Sequence, residues 1–132
     1  TQKGNHGVYL GVDQMLWKEN PDEAEDKQGM GVFLQYGWCP QEINVLRYHI
    51  GAGVVWRGLI ENRDDDVFGI GLTRVEFSQF LTGQDAETEY EVFYKAPINS
   101  HLTLQPDIQY IQSPNGNLPD ALVVGLRFEL VL

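Results

Sequence analysis

The side chains of this sequence that could do chemistry are few, and most stand at spacings that do not suit it. Glu89 and Glu91 are two carboxylates on one patterned segment, and carboxylate pairs carry out glycoside hydrolysis from opposite sides of a sugar ring. These two share one face of an extended chain, about 7 Å apart, so they are neighbours on a wall rather than a flanking pair. The run "ENRDDD" (61–66) offers clustered oxygen ligands. It lacks the glycine and distal glutamate of a calcium loop, and a solvated turn in which Arg63 pairs with a neighbouring aspartate accounts for it. His6, His49 and His101 are scattered without ligand spacing. The single cysteine, Cys39, allows no intrachain disulfide or zinc cluster, and no adjacent histidine activates it. Gly51-Ala52-Gly53 and Gly69-Ile70-Gly71 superficially suggest nucleotide loops, but no helix follows them and strand glycines explain them. The expectation is no catalysis, no metal and no cofactor.

The polar residues do have a period. In "HLTLQPDIQYIQ" (101–112), Leu102, Leu104, Ile108 and Tyr110 alternate with Thr103, Gln105, Asp107 and Gln109, the two-residue repeat of a strand with one apolar and one polar face. The same pattern recurs at 6–19, 29–38, 44–58, 67–80, 88–97 and 120–132, with no convincing helix between. The links "NPDEAEDKQ", "CPQEI", "LIENRDDD", "LTGQDAE", "INS" and "SPNGNLP" carry turn residues. The expected fold is all-β, an antiparallel meander of about seven to eight long strands. Alternation puts Arg57, Glu89, Glu91, Lys95, Gln105, Asp107, Gln109, Arg127 and Glu129 on the polar faces. In the fourth segment Ile70 and Leu72 are out of phase with Val75 and Phe77. A bulge near Thr73 or Arg74 would reconcile them and add Arg74 and Glu76 to that polar set.

Two surroundings accept such strands. A soluble barrel or sandwich turns the apolar face inward; a membrane barrel turns it to lipid and lines a lumen with the polar one. The final segment, with Leu122, Val124, Leu126, Phe128, Leu130 and Leu132 in one row, matches the 9–11 residues a tilted spanning strand needs. Trp17, Trp38, Trp56 and Tyr110 stand near segment ends, where a membrane interface collects aromatics. Mean hydropathy of −0.29 is silent, because only alternate residues of a barrel strand are apolar. A net charge of −10 makes nucleic acid an unsuitable partner. "TQKGNHG" has neither the basic start nor the apolar stretch of a signal peptide.

The segment "YEVFYKAPINSHLTLQPDIQYIQSPNGNLPDALVVGLRFELVL" (90–132) resembles the C-terminal end of carbohydrate-selective porins of the OprB family. "GAGVVWRGLIENRDDDVFGIGLTRVEFS" (51–78) resembles that family's RGLI-RDDD block, and "HGVYLGVDQMLW" (6–17) is similar to its preceding strand. The resemblance implies an outer-membrane barrel of about sixteen strands through which sugars diffuse passively. It implies that residues 1–132 are the C-terminal portion of one barrel domain, without its N-terminal half and signal peptide. The polar set, from Arg57 to Glu129, would then line the sugar path. Implied partners are permeating sugars, outer-membrane lipid and the remaining half of the barrel, whether from the same longer chain or a separate piece, in a monomer or homotrimer. Three departures stand out. Glu61 and Asn62 replace a frequent Pro-Gly, the chain ends in Leu132 rather than an aromatic residue, and about seven strands are too few to close. Pro106 inside a strand calls for a local bulge or a lost hydrogen bond. The rival reading is a soluble β-barrel or β-sandwich that binds a ligand or serves adhesion.

Overall fold

A computed structural model describes residues 4–131; Leu132 and the first three residues of "TQKGNHG" lie outside the described residues. Seven strands follow one another: β1 Val8–Lys18, β2 Gly29–Trp38, β3 Leu46–Arg57, β4 Val67–Phe77, β5 Ala86–Pro97, β6 Leu102–Gln112 and β7 Ala121–Leu130. Each pairs antiparallel with its chain neighbours, in the order β1 to β7, as the short turn-rich links require. Among the described residues, the one helical piece is a short 3₁₀ turn, Pro114–Gly116, between β6 and β7.

Register decides which side chains share a face. The β2–β3 ladder sets Trp38 against Tyr48, Tyr36 against Ile50, Leu34 against Ala52, Val32 against Val54 and Met30 against Trp56. The same face continues through Phe68, Ile70 and Leu72 of β4, Tyr90, Val92 and Tyr94 of β5, and the even-numbered residues of β6 and β7. In β1 the register shifts between Met15 and Trp17. The extra residue, Leu16, returns Trp17 to the apolar face beside Trp56, ring centroids 5.9 Å apart.

The sheet is a single layer. Ala96 is the one buried apolar side chain among the described residues, while Leu122, Leu126 and Leu130 are 69%, 65% and 63% exposed. The soluble reading needs these residues sealed in an interior. They stand uncovered on a continuous apolar face.

The opposite face closes around its glycines. Phe33 of β2 lies across Gly53 of β3, where a Cβ would come within 2.6 Å of the Ile70 carbonyl oxygen and closer still to the Phe33 ring. Gly51, two residues away, has nothing nearer than 3.5 Å, the distance to Gln35 Oε1 and His49 Cε1.

The longest link, between β1 and β2, is held by one carboxylate. Asp26 accepts from the Asn20 backbone N–H (3.1 Å), Asn20 Nδ2 (2.9 Å) and the Gln28 backbone N–H (2.9 Å). These bonds, that from Gln28 foremost, hold its pKa below the ordinary 3.8.

Two outcomes follow from these contacts. Gly53→Ala in the full-length protein should cost about 1–3 kcal/mol through overpacking, whereas Gly51→Ala should stay within about 0.5 kcal/mol; denaturant unfolding in detergent micelles reads both. Because the Asp26 pKa is depressed on folding, its contribution is complete above 3.8 and disappears as pH falls through the lowered value. Hydrogen-exchange protection of the Asn20 and Gln28 amides should therefore drop in acid, and Asp26→Ala should lower it at neutral pH and abolish that pH dependence.

Candidate functional site

The polar face is built by the alternate residues of every strand, and the ladders sort its charges into transverse rows. Arg57 pairs with Val67, and Val67 with Lys95. Across β6, Gln105 pairs with Arg127. Arg57, Lys95, Gln105 and Arg127 thus fall on one line, which Lys18 extends through Gly29, its ammonium turned to the Glu23 carbonyl. A second line sits about 13 Å along the strands. There Asp13 faces Phe33, Gly71 faces Glu91, and Glu91 faces Gln109. Glu89 lies beyond it, and Asp107 between the two lines, opposite Gly125. Glu129 lies on the other side of the basic row, opposite Thr103, and reaches back to Lys95 Nζ at 3.6 Å. Fixed rows of opposite sign beside open backbone are suited to many weak contacts with hydroxyl groups, which both donate and accept.

Arg74 and Glu76 do not belong to this set. No bulge falls near Thr73 or Arg74: the β3–β4 pairing runs unbroken from Tyr48↔Glu76 to Arg57↔Val67, and the shift lies between Leu46 and Tyr48. The extra residue is therefore Arg47, in the neighbouring strand. Arg74 opposes Ile50 and Glu76 opposes Tyr48, so both stand on the apolar face. The β4 alternation is unbroken, so Val75, opposite His49, and Phe77, opposite Leu46, stand on the polar face, and the change of phase in the sequence marks no bulge in β4.

Pro106 keeps the strand and loses bonds. Pairing between β5 and β6 is interrupted after Phe93↔Asp107 and resumes in the same register at Ala96↔Leu104, while Pro106 stays paired with Leu126 on its other side. A residue without an N–H leaves a gap in one ladder and shifts nothing.

At one end of the polar face, the β3–β4 link forms a braced rim. Asp66 is buried; it accepts from Arg63 Nε at 2.8 Å and from the Tyr94 hydroxyl. Arg57 Nη1 lies 3.7 Å from Asp65. The expected pairing of Arg63 with a neighbouring aspartate is thus present. Asn62 has φ 64°, the left-handed conformation a glycine would take more cheaply, and so serves the turn in which the Pro-Gly is replaced. Beside the rim lies an open depression of about 320 Å³, lined among others by Asp13, Met15, Gly31, Val55 and Arg57.

Asp13, Gln35 and Glu87 also stand on the polar face, beyond the set expected from the sequence. Asp13 and Gln35 were legible by counting from Val8, Leu10 and Val12 across to Leu34; Glu87 lies before the expected start of β5 and needed the Val75↔Glu87 pairing. Cys39, away from these rows, donates its thiol to the Leu46 carbonyl at 2.9 Å.

Residues 1–132 match the family described as carbohydrate-selective porin, OprB family. Porin B of Pseudomonas aeruginosa is 24% identical over 155 residues, covering 99% of this chain and 34% of that protein. The high-pH structure of Pseudomonas putida OprB superposes with TM-score 0.86 at 23% identity, over 96% of this chain and 35% of the other. Its low-pH structure superposes with TM-score 0.76, also at 23% identity, over 96% and 36%. These two likenesses are of fold. The chain spans about a third of the length of these relatives.

Proposed function

The chain belongs to the OprB family of carbohydrate-selective porins, and on that premise we propose that it forms part of an outer-membrane channel through which sugars diffuse passively. In this reading the apolar face meets lipid and the polar face lines the lumen. The observation that carries it is the uncovered row Leu122, Val124, Leu126, Phe128 and Leu130, opposite a face holding Arg127 and Glu129. Aromatic residues at both ends of the apolar face support it. Trp17, Trp56, Phe68 and Tyr94 gather at one end, and Tyr36, Trp38 and Tyr48 at the other. Tyr48 and Trp56 are about 26 Å apart along the strand, or about 20 Å in height at a tilt of about 40°, near the apolar band of such barrels.

The β1 and β7 edges each have one neighbour in the sheet, and an open edge is not tolerated in hydrocarbon. In this reading further strands, from the same longer polypeptide or a separate piece, pair with these edges and close the barrel, with this chain as its C-terminal portion. With β7 ending on the periplasmic side, the braced rim and the β1–β2 link face the periplasm, and the link 113–120 faces outward. Arg57, Glu89, Glu91, Lys95, Gln105, Asp107, Gln109, Arg127 and Glu129 then line the sugar path together with Asp13. Weak, repeated polar contacts along these rows select sugars without holding them. No step of this function uses covalent chemistry.

Reconstituted in a planar bilayer, the full-length porin should conduct ions, and added glucose should reduce its conductance. Arg127→Gln should weaken that block by about five- to thirtyfold, the loss of about 1–2 kcal/mol from a charged hydrogen bond, with the open-channel conductance retained. A full-length protein that stays monomeric in buffer without detergent would overturn the reading.

A further inference from the structure

Among the described strand residues of the apolar face, Arg74 and Glu76 are the charged ones, and the bulged Arg47 sends its guanidinium to join them. Arg47 Nη1 lies 3.2 Å from Glu76 Oε1, and its guanidinium carbon sits 6.0 Å from the centre of the Tyr48 ring. The Tyr48 hydroxyl donates to the other Glu76 oxygen. Both oxygens of the one carboxylate are thereby engaged. Arg74 Nη1 donates to the neutral Thr88 Oγ1 at 2.9 Å, and Arg74 is exposed. Two guanidinium groups thus stand with one carboxylate, which pairs with Arg47, and the cluster carries an excess positive charge on an otherwise apolar surface.

Its position is as informative as its charge. The cluster sits at the end of the face that carries Tyr36, Tyr48 and Trp38, in line with the aromatic residues that mark headgroup depth. There a lipid-facing arginine costs little, and far less than at the bilayer midplane. Below Arg74, Leu72 and Ile70 continue the apolar surface, which suits an acyl chain hanging from a headgroup held above.

We propose that Arg47 and Arg74 dock the phosphate of an anionic glycolipid in the outer leaflet, seated on the outside of the barrel wall with its acyl chains against β3 and β4. This inference rests on the porin reading, which sets the membrane side and the leaflet. The arginine fork matches phosphate oxygens in geometry as well as charge, and Glu76 holds Arg47 by Nη1 beside the strand that carries Arg74.

The test uses the purified full-length porin in mixed micelles, titrated with lipid A carrying its phosphates or with the same lipid dephosphorylated, and read by native mass spectrometry. The wild-type protein should bind the phosphorylated lipid at least tenfold more tightly. Arg47→Gln with Arg74→Gln should erase that preference, Arg74→Lys should keep part of it, and bilayer conductance should be unchanged in each. Millimolar inorganic phosphate should not displace the lipid; displacement would mean a free-anion site and overturn the proposal. Equal wild-type binding of the two lipids would also overturn it, whatever the folding of the variants. So would a double variant that keeps the preference, or one that changes subunit number in place of lipid binding. Lost lipid preference with conductance intact removes the docking site alone, whereas a wild-type protein that neither inserts nor conducts removes the porin reading and this inference with it.

Discussion

The period-two geometry of a paired strand governs everything else in this chain. Each ladder bond fixes two residues opposite one another, and their side chains then project to the same face. A slip of one residue would exchange the faces of a whole strand. In a single layer with no buried core to correct such a slip, the ladders alone keep Leu122, Val124 and Leu126 apart from Arg127 and Glu129.

The irregularities are informative for that reason. The extra residue at Leu16 delivers Trp17 to the row of Met30 and Trp56. The shift at Arg47 sets Leu46 opposite Phe77 and turns the Arg47 guanidinium to Glu76. Pro106 interrupts one ladder without shifting it, so Asp107 and Gln109 stay on the polar face with Glu91. Two bulges and a gap are each placed where the sheet keeps its sidedness, and both bulges sit near strand ends, where added twist disturbs few pairs.

The polar face gains its character from what is missing as much as from what is present. Gly53 and Gly71 remove side chains within the acidic row and Gly69 between the two rows, and the rings of Phe33 and Phe93 fold over Gly53 and Gly69. Basic Arg57, Lys95 and Arg127 then lie in one line with acidic Glu91 and Asp13 in another. That separation of charge along the strands arises from register and would be invisible in composition, where a net charge of −10 says only that acid predominates.

All seven strands were legible from alternation and turn residues alone, because each strand's pattern is local and carries its own period. So was the polar character of Arg57, Glu89, Glu91, Lys95, Gln105, Asp107, Gln109, Arg127 and Glu129, each in phase with apolar neighbours on its own strand. The fate of Arg74 and Glu76 was not. Their strand breaks phase at Val75 and Phe77, and a sequence cannot say whether a bulge returns those two to the apolar face or an unbroken strand leaves them on the polar one. Only the unbroken pairing with β3, from Arg57↔Val67 to Tyr48↔Glu76, kept both charges in line with Ile70 and Leu72 on the apolar face and left Val75 on the polar one, since register is a relation between two segments some thirty residues apart and no single segment contains it.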